Sequence, residues 1–417
     1  MKADCIILGG GAAGLAACAA LAKSGLRVVL VEKSDRVGRK IMAAGNGRCN
    51  LSNADMNPAH YGEAAPFVSA VYKSTPPDAV SAFFSSLGLM TVSEEGRIYP
   101  RTMMASSVLD VLRAGCAAEN VSILTGREAA SLSPSRRGGW SVQLSGSEGL
   151  FAPAVLMAMG GSAAPHLGTD GAGTRMLSAL GHSVTPLYPA LVQLRCDHPA
   201  LRSLKGVRVQ AELTLTIDRK PAASETGELL FADYGVSGVC VFQLSGLAAK
   251  ALGEKRRAML SVNLLPEIPV RDAAQWLRSR IALMERADAQ TLFTGVFPRI
   301  LVQAILRQAN LAPDAQTSQL TVRAKDALLS AITAFPLEIT GTQGFKNAQV
   351  ASGGVALGEV DPASMASRLF GGLYLAGEVL DVSGPCGGYN LHFAFASGLT
   401  AAKAIKAQLL EYRKDPP

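Results

Sequence analysis

Gly9, Gly11 and Gly14, followed 18 residues after Gly14 by Glu32, are of a type and spacing that suit the holding of a ribose and a pyrophosphate. In this Gly9-x-Gly11-x-x-Gly14 turn, Gly9 permits a tight reversal. Gly11, with Ala12 and Ala13, lets backbone amides approach an anion, and Gly14 lets a helix lie close on a strand. Glu32 is the carboxylate that would take the ribose diol by paired hydrogen bonds, with Lys33 beside it. The second chemical cluster is GRKIMAAGNGRCNLSN, Gly38 to Asn53, which combines Arg39, Lys40 and Arg48 with three glycines and three asparagines. The cations Arg39 and Lys40 can neutralise pyrophosphate or clasp an adenosine. Gly45, Asn46 and Gly47 accept positive φ, so successive N–H groups can converge on oxygens, with Cys49 and Asn50 at the ring end.

The elements that must position these residues are legible on either side. Asp4 to Leu8 reads as a buried strand, Ala12 to Lys23 as an Ala-rich helix, and Arg27 to Val31 as a second strand ending at Glu32. The chain then enters the Gly38 to Asn53 loop where a simple NAD site would continue into a crossover helix, and such a loop suits the longer, bent FAD. Gly168-x-x-Gly171-x-Gly173 lacks the spacing and the preceding strand of a second such turn, so a nicotinamide cofactor would visit only transiently.

Length and composition set bounds. The 417 residues imply two or three structural units, and 48% hydrophobic with 18% charged residues implies a globular chain. The net charge of +7 is moderately basic, and without a long basic run an anionic ligand is favoured over nucleic acid. Seven cysteines without a CxxC, and five scattered histidines, argue for reduced thiols and against a disulfide framework or a metal site. Cys5 to Ala22 is 18 residues without a charge, yet Asp4 and the central glycines exclude a signal peptide or a span, and a cytoplasmic location is expected.

Four blocks in order, GGGAAGLAA, GRKIMAAGNGRCNLSN, AMGGSAAPHLGTDGAG and GLYLAGEVLDVSGPCGGYNLHFAFASG, resemble those of the HI0933-like flavoproteins, the BaiN-type or YhiN-type NAD(P)/FAD-dependent oxidoreductases, across essentially the whole chain. The resemblance implies noncovalent FAD in a Rossmann-like α/β domain of the two-dinucleotide-binding type, split in sequence by an insert, and a redox enzyme. It carries over no substrate. One departure stands in the insert. GELLFADYGVSGVCVFQLS has Ala232, Asp233 and Val239 where the family usually has Thr, His and Pro, which puts any substrate contact there in doubt.

Along the chain, Ala64 to Tyr72 and Pro77 to Leu87 read as helices, Leu89 to Tyr99 as a hairpin and Met103 to Glu119 as a helix. Val121 to Leu124 reads as a strand, and Glu128 to Leu132 pairs with Trp140 to Leu144 across a turn from Ser133 to Gly139. In FAD domains of the resembled type the backbone at Arg127, Glu128 and Ala129 would abut the adenine, and Pro153 to Met159 runs into Gly160-Gly161, which resembles the turn that returns the chain beneath the dinucleotide. The expected organisation is a FAD-binding domain over residues 1–190 and 336–417, a β-rich insert over 191–268 and a helical insert over 269–335. In the last block Leu373 to Ala376 is a strand, Gly377-Glu378 a turn, and Asp381 suits ribitol hydroxyls. Gly387-Gly388-Tyr389-Asn390-Leu391 opens a helix to about Leu410, whose N-terminus would stabilise charge on the pyrimidine end of a reduced flavin.

The expected function is hydride transfer between FAD and a small organic substrate held between FAD domain and insert, with NAD(P)H as a candidate donor. An oxidase using O₂, and a non-catalytic flavin sensor or RNA-associated flavoprotein, are the alternatives. No catalytic acid or base is identified. Cys49 and Cys386 read as a redox pair or, more simply, as small residues filling tight corners; His392 reads as a proton donor or as helix packing. Arg97, Tyr99 and Tyr234 are further cleft candidates. No membrane or nucleic-acid partner is expected, and the oligomeric state is left open.

Overall fold

A computed structural model describes residues 2–136, 138–146 and 149–414. Arg137, within the expected Ser133 to Gly139 turn, lies outside the described residues. The chain divides into two compact units, Met1–Leu187 with Val350–Pro417, and Tyr188–Gln349.

The first unit is built on five parallel strands. Cys5–Leu8 lies at the centre, flanked by Val28–Val31 and then Val121–Leu124 on one side, and by Ala154–Met157 and then Leu373–Leu375 on the other. The two central strands are CIIL and VVLV, buried at every position, as strands covered on both faces must be. One cover is the helix Ala12–Ala22, whose buried residues run nearly all round it. The long terminal helix Tyr389–Lys414 crosses that helix so closely that a methyl at Gly398 would strike the Ala13 carbonyl. Two antiparallel sheets are appended: Ser52–Asn53 with Arg97–Pro100 and Thr91–Glu94, and Ala129–Pro134 with Trp140–Leu144 and Gly149–Ala152.

The second unit is a closed six-stranded barrel, in the order Leu194–Asp197, Gly235–Ser237, Lys220–Ala232, Arg208–Ile217, Ala258–Asn263, Phe335–Thr342. Inward residues such as Leu213, Leu215, Phe231, Leu260 and Leu337 fill it.

The β-rich insert also holds a 15-residue helix, Val239–Gly253, whose buried face, Cys240, Val241, Leu244 and Ala248, joins the barrel core. Two expectations about the inserted region are corrected here. The helices Val270–Leu283, Arg299–Gln308 and Val322–Thr333 do not form a separate helical domain, because Leu277, Ile305 and Leu328 share one apolar cluster with the barrel strands. Nor does the chain return to the first unit at 336. Phe335–Thr342 closes the barrel by pairing with Ala258–Asn263 and Leu194–Asp197, so the second unit runs to Gln349.

Candidate functional site

The glycine turn sits at the carboxyl ends of the parallel strands, where open α/β sheets bind ligands. Gly9 holds φ at +107°, and a side chain there would run into the Ala158 carbonyl. A methyl at Gly14 would strike the Gly9 carbonyl, so glycine is needed for the helix to lie against its own strand. Gly11 differs from both, because a Cβ built on it meets nothing within 4 Å. That open space faces the start of the Ala12–Ala22 helix, whose first turn has no acidic residue and no side-chain cap. Its unpaired N–H groups are the donors that a pyrophosphate would take.

Glu32 follows the second strand, and both its oxygens are fixed. The Gly10 N–H donates to one at 2.9 Å and the Ser34 N–H to the other at 2.8 Å. A carboxylate oriented by two amides keeps lone pairs for a diol. The Arg127 N–H donates to the Glu32 backbone carbonyl at 3.0 Å, which ties the start of 127–129 to the end of the second strand.

The cations do something else. Lys33 pairs with Asp170 at 2.7 Å, Arg39 donates to the His166 carbonyl at 2.8 Å, and Lys40 pairs with Glu378 at 2.5 Å. Arg48 stacks over Tyr99 at 5.0 Å and faces Glu94 at 3.7 Å. Arg39 and Lys40, expected to neutralise pyrophosphate or clasp an adenosine, here tie distant segments of the chain together. Burial works against charge on Asp170, yet the Lys33 ammonium and the Ala172 amide hold its carboxyl below the ordinary range.

The loop of Gly45, Asn46 and Gly47 runs with φ at 57°, 55° and 83°, and Cys49 follows at 57°. This run turns Asn50 inward, and its Oδ1 is buried without a partner. The loop is bolted to the last block: Asn53 donates to the Gly387 carbonyl at 2.9 Å, and a methyl at Gly388 would strike the Ser52 carbonyl. Asn390 braces the turn before the terminal helix by exchanging hydrogen bonds with Gly384, 2.8 Å each way. Tyr61, a residue not singled out from sequence, donates to the Tyr389 carbonyl at 2.9 Å and meets the Tyr72 hydroxyl at 2.9 Å, and burial pushes both phenols up.

Asp381 is held by the Thr185 hydroxyl at 2.8 Å and the Gly353 N–H at 3.0 Å. Glu378 lies against Gly161 and accepts from the Ala351 N–H at 2.8 Å. Gly377 donates to Ser397 at 3.0 Å. Burial pushes the Cys49 thiol up to about 12, so it stays protonated and fills a corner. His392 lies wholly buried in the first turn of the terminal helix, with Nδ1 2.8 Å from the Ser52 hydroxyl and Nε2 without a partner. Burial pushes it down to about 4, leaving it neutral at physiological pH.

A second histidine has the hydrogen-bond order of a nucleophile relay: Ser367 Oγ, His182 Nε2 at 3.1 Å, then His182 Nδ1 to Glu359 at 2.8 Å. The Leu369 and Phe370 N–H groups both donate to Ser367 Oγ at 3.1 Å, which occupies its lone pairs, so this trio is a brace rather than a nucleophile. No group of residues that could hold a metal occurs among the described residues.

The open face at Gly11, the fixed Glu32 carboxylate and the orphaned Asn50 oxygen together fit a dinucleotide such as FAD. Comparison with known proteins agrees in fold. The HI0933-like protein Rossmann domain model matches residues 3–404. The 3-dehydro-bile acid delta(4,6)-reductase of Clostridium scindens is 38% identical over 401 residues, covering 95% of this chain and 98% of that protein. The ribosomal RNA dihydrouridine synthase of Escherichia coli is 30% identical over 412 residues, covering 97% and 98%. Among solved structures, 3-ketosteroid delta1-dehydrogenase from Sterolibacterium denitrificans superposes with a TM-score of 0.52 at 14% identity, covering 98% of this chain and 100% of that one, a likeness of fold alone.

Proposed function

The chain belongs to the HI0933-like Rossmann family, and from that premise we propose that it is a noncovalent FAD oxidoreductase that reduces a carbon–carbon double bond conjugated to a carbonyl in a small organic substrate. The observation that carries the cofactor reading is the Glu32 carboxylate, fixed by Gly10 and Ser34 beside the open face of Gly11. The substrate class rests on the two relatives, whose names describe reduction of a delta(4,6) bile acid and formation of dihydrouridine; each adds hydrogen across a double bond polarised by a carbonyl.

FAD, when bound, supplies the hydride chemistry. The residues of this chain supply grip and field. Gly11, Ala12 and Ala13 would offer amides to the pyrophosphate, and Glu32 would take the ribose. Asn50 Oδ1 would accept a hydrogen bond from the ring, which would remove the cost of a buried acceptor left unpaired. The N-terminus of Tyr389–Lys414 favours negative charge at the pyrimidine end, and Asp381 and Glu378 stand at the strand end as candidates for the ribitol. NADH or NADPH is the proposed transient donor.

The test is anaerobic stopped-flow spectroscopy of the yellow protein with each nicotinamide, then with conjugated enones. Bleaching by a nicotinamide and recolouring by an enone support the reading; a protein bleached by neither, or recoloured only by air, counts against it. A second reading, reduction of uracil within RNA, is favoured by the 30% identical relative and the net charge of +7. Retention on heparin at physiological salt would advance it.

A further inference from the structure

Residues 165–171 cross the ribose end of the candidate site as a strap. The segment leaves the sheet through Ala164, at φ 56°, makes one short turn at Pro165–Leu167, and re-enters a helix at Ala172 after Gly168 and Gly171, at φ 107° and 77°. Left-handed residues at both ends and in the middle make it a discrete bend. It passes directly over Glu32: a Cβ at Gly168 would lie 3.1 Å from the Ser34 hydroxyl and 4.0 Å from a Glu32 oxygen.

Two cations hold this strap, each from the segment just after Glu32. The Lys33 ammonium meets the Asp170 carboxylate at 2.7 Å, and the Arg39 guanidinium donates to the His166 carbonyl at 2.8 Å. Inside the strap, the Thr169 hydroxyl donates to the Ala163 carbonyl, and Asp170 Oδ1 accepts from the Ala172 N–H at 3.0 Å. Arg175 donates to the Asp170 carbonyl at 2.7 Å, so the strap stays shaped when the two outer ties are cut. Only Lys33 and Arg39, in this set, join the strap to the far side of the carboxylate.

We propose that residues 165–171 are a clasp that closes over the adenosine ribose and sets how long FAD stays bound, with Lys33, Arg39 and Asp170 as positioning residues rather than phosphate ligands. The proposal rests on the FAD reading above. A ribose on Glu32 then leaves only after the clasp lifts, and lifting costs the Lys33–Asp170 pair. Both partners are partly exposed, at 24% and 39%, so the pair is a modest, salt-sensitive latch.

The experiment is the rate of FAD release from the FAD-loaded protein, read from flavin fluorescence after dilution, at low and high salt. Lys33→Met and Asp170→Asn each accelerate release by about two- to fivefold at low salt, and the difference shrinks at high salt. Asp170→Asn keeps the oxygen that accepts from Ala172, so the helix start is preserved, and Lys33→Arg restores slow release. Arg39→Gln accelerates release and adds to the effect of Lys33→Met. Release rates in Lys33→Met and Asp170→Asn equal to the parent overturn the clasp while leaving the cofactor reading standing, as does an acceleration that is the same at every salt concentration. A parent protein that binds no FAD at all overturns both.

Discussion

The barrel and the dinucleotide cradle treat their backbones in opposite ways. In the barrel each strand pairs with the next around a full circuit, and the Asp218–Arg219 left-handed pair is an ordinary hairpin turn between Arg208–Ile217 and Lys220–Ala232. In the cradle the chain between the helix Arg39–Ala43 and the strand Ser52–Asn53 runs left-handed through Gly45, Asn46 and Gly47 in succession. Two of the three buried side-chain atoms without a partner among the described residues, Asn50 Oδ1 and His392 Nε2, lie in this loop and the helix facing it. The third, Gln193 Oε1, stands just before the barrel strand Leu194–Asp197, so the cradle holds most but not all of the unpaired polar atoms. Unfinished hydrogen bonding therefore marks the site better than burial or charge does.

The largest expected effect breaks the cradle by sterics. Gly14→Ala sets a methyl into the Gly9 carbonyl and costs more than about 4 kcal/mol, seen as a collapse of the urea midpoint or as failure to fold. Phe231→Ala empties part of the barrel core and costs about 3–5 kcal/mol, while FAD affinity of the folded protein stays as in the parent. A loss of affinity there would show the contrast between the two regions to be false.

His392 sharpens the comparison through pH. Its folded value, pushed by burial to about 4 from 6.5, means that the unfolded chain binds the extra proton first. Stability is therefore full above pH about 6.5 and falls as pH drops toward 4, by on the order of 3 kcal/mol for this group. His392→Gln removes that part of the acid slope in urea midpoints measured across the interval; an unchanged slope would remove His392 from the account. The smallest structural change is Gly11→Ala. Nothing lies within 4 Å of its added Cβ, so melting of the flavin-free protein is unaltered. FAD affinity falls about tenfold, because the methyl occupies the space of the pyrophosphate.

Much of the cradle is legible in the sequence because its signals are local. A strand, a glycine turn and an Ala-rich helix announce themselves within thirty residues, and Trp140–Leu144 is a strand with the bounds its alternation suggests. The partners of Lys33, Arg39 and Lys40 are not local. Asp170 stands 137 residues from Lys33 and Glu378 stands 338 from Lys40, so no spacing rule announces either pair. The closure of the barrel is not local either. Phe335–Thr342 finds its register only against two strands far back in the chain, and Val239–Gly253, with β-branched residues and glycines at its ends, takes its helical form from packing on those strands. No helix among the described residues is long and apolar enough to cross a membrane, so the uncharged run at Cys5 to Ala22 is a buried strand, turn and helix.

The central claim, a flavin-dependent reductase of conjugated double bonds, is tested most directly by mixing the anaerobically reduced, FAD-loaded protein with a conjugated enone and, separately, with its saturated ketone. The account predicts that the yellow colour returns with the enone in a single turnover and that the saturated ketone leaves the protein bleached. A protein that stays bleached with conjugated enones and uracil-containing RNA alike, and regains its colour only when air is admitted, would contradict it.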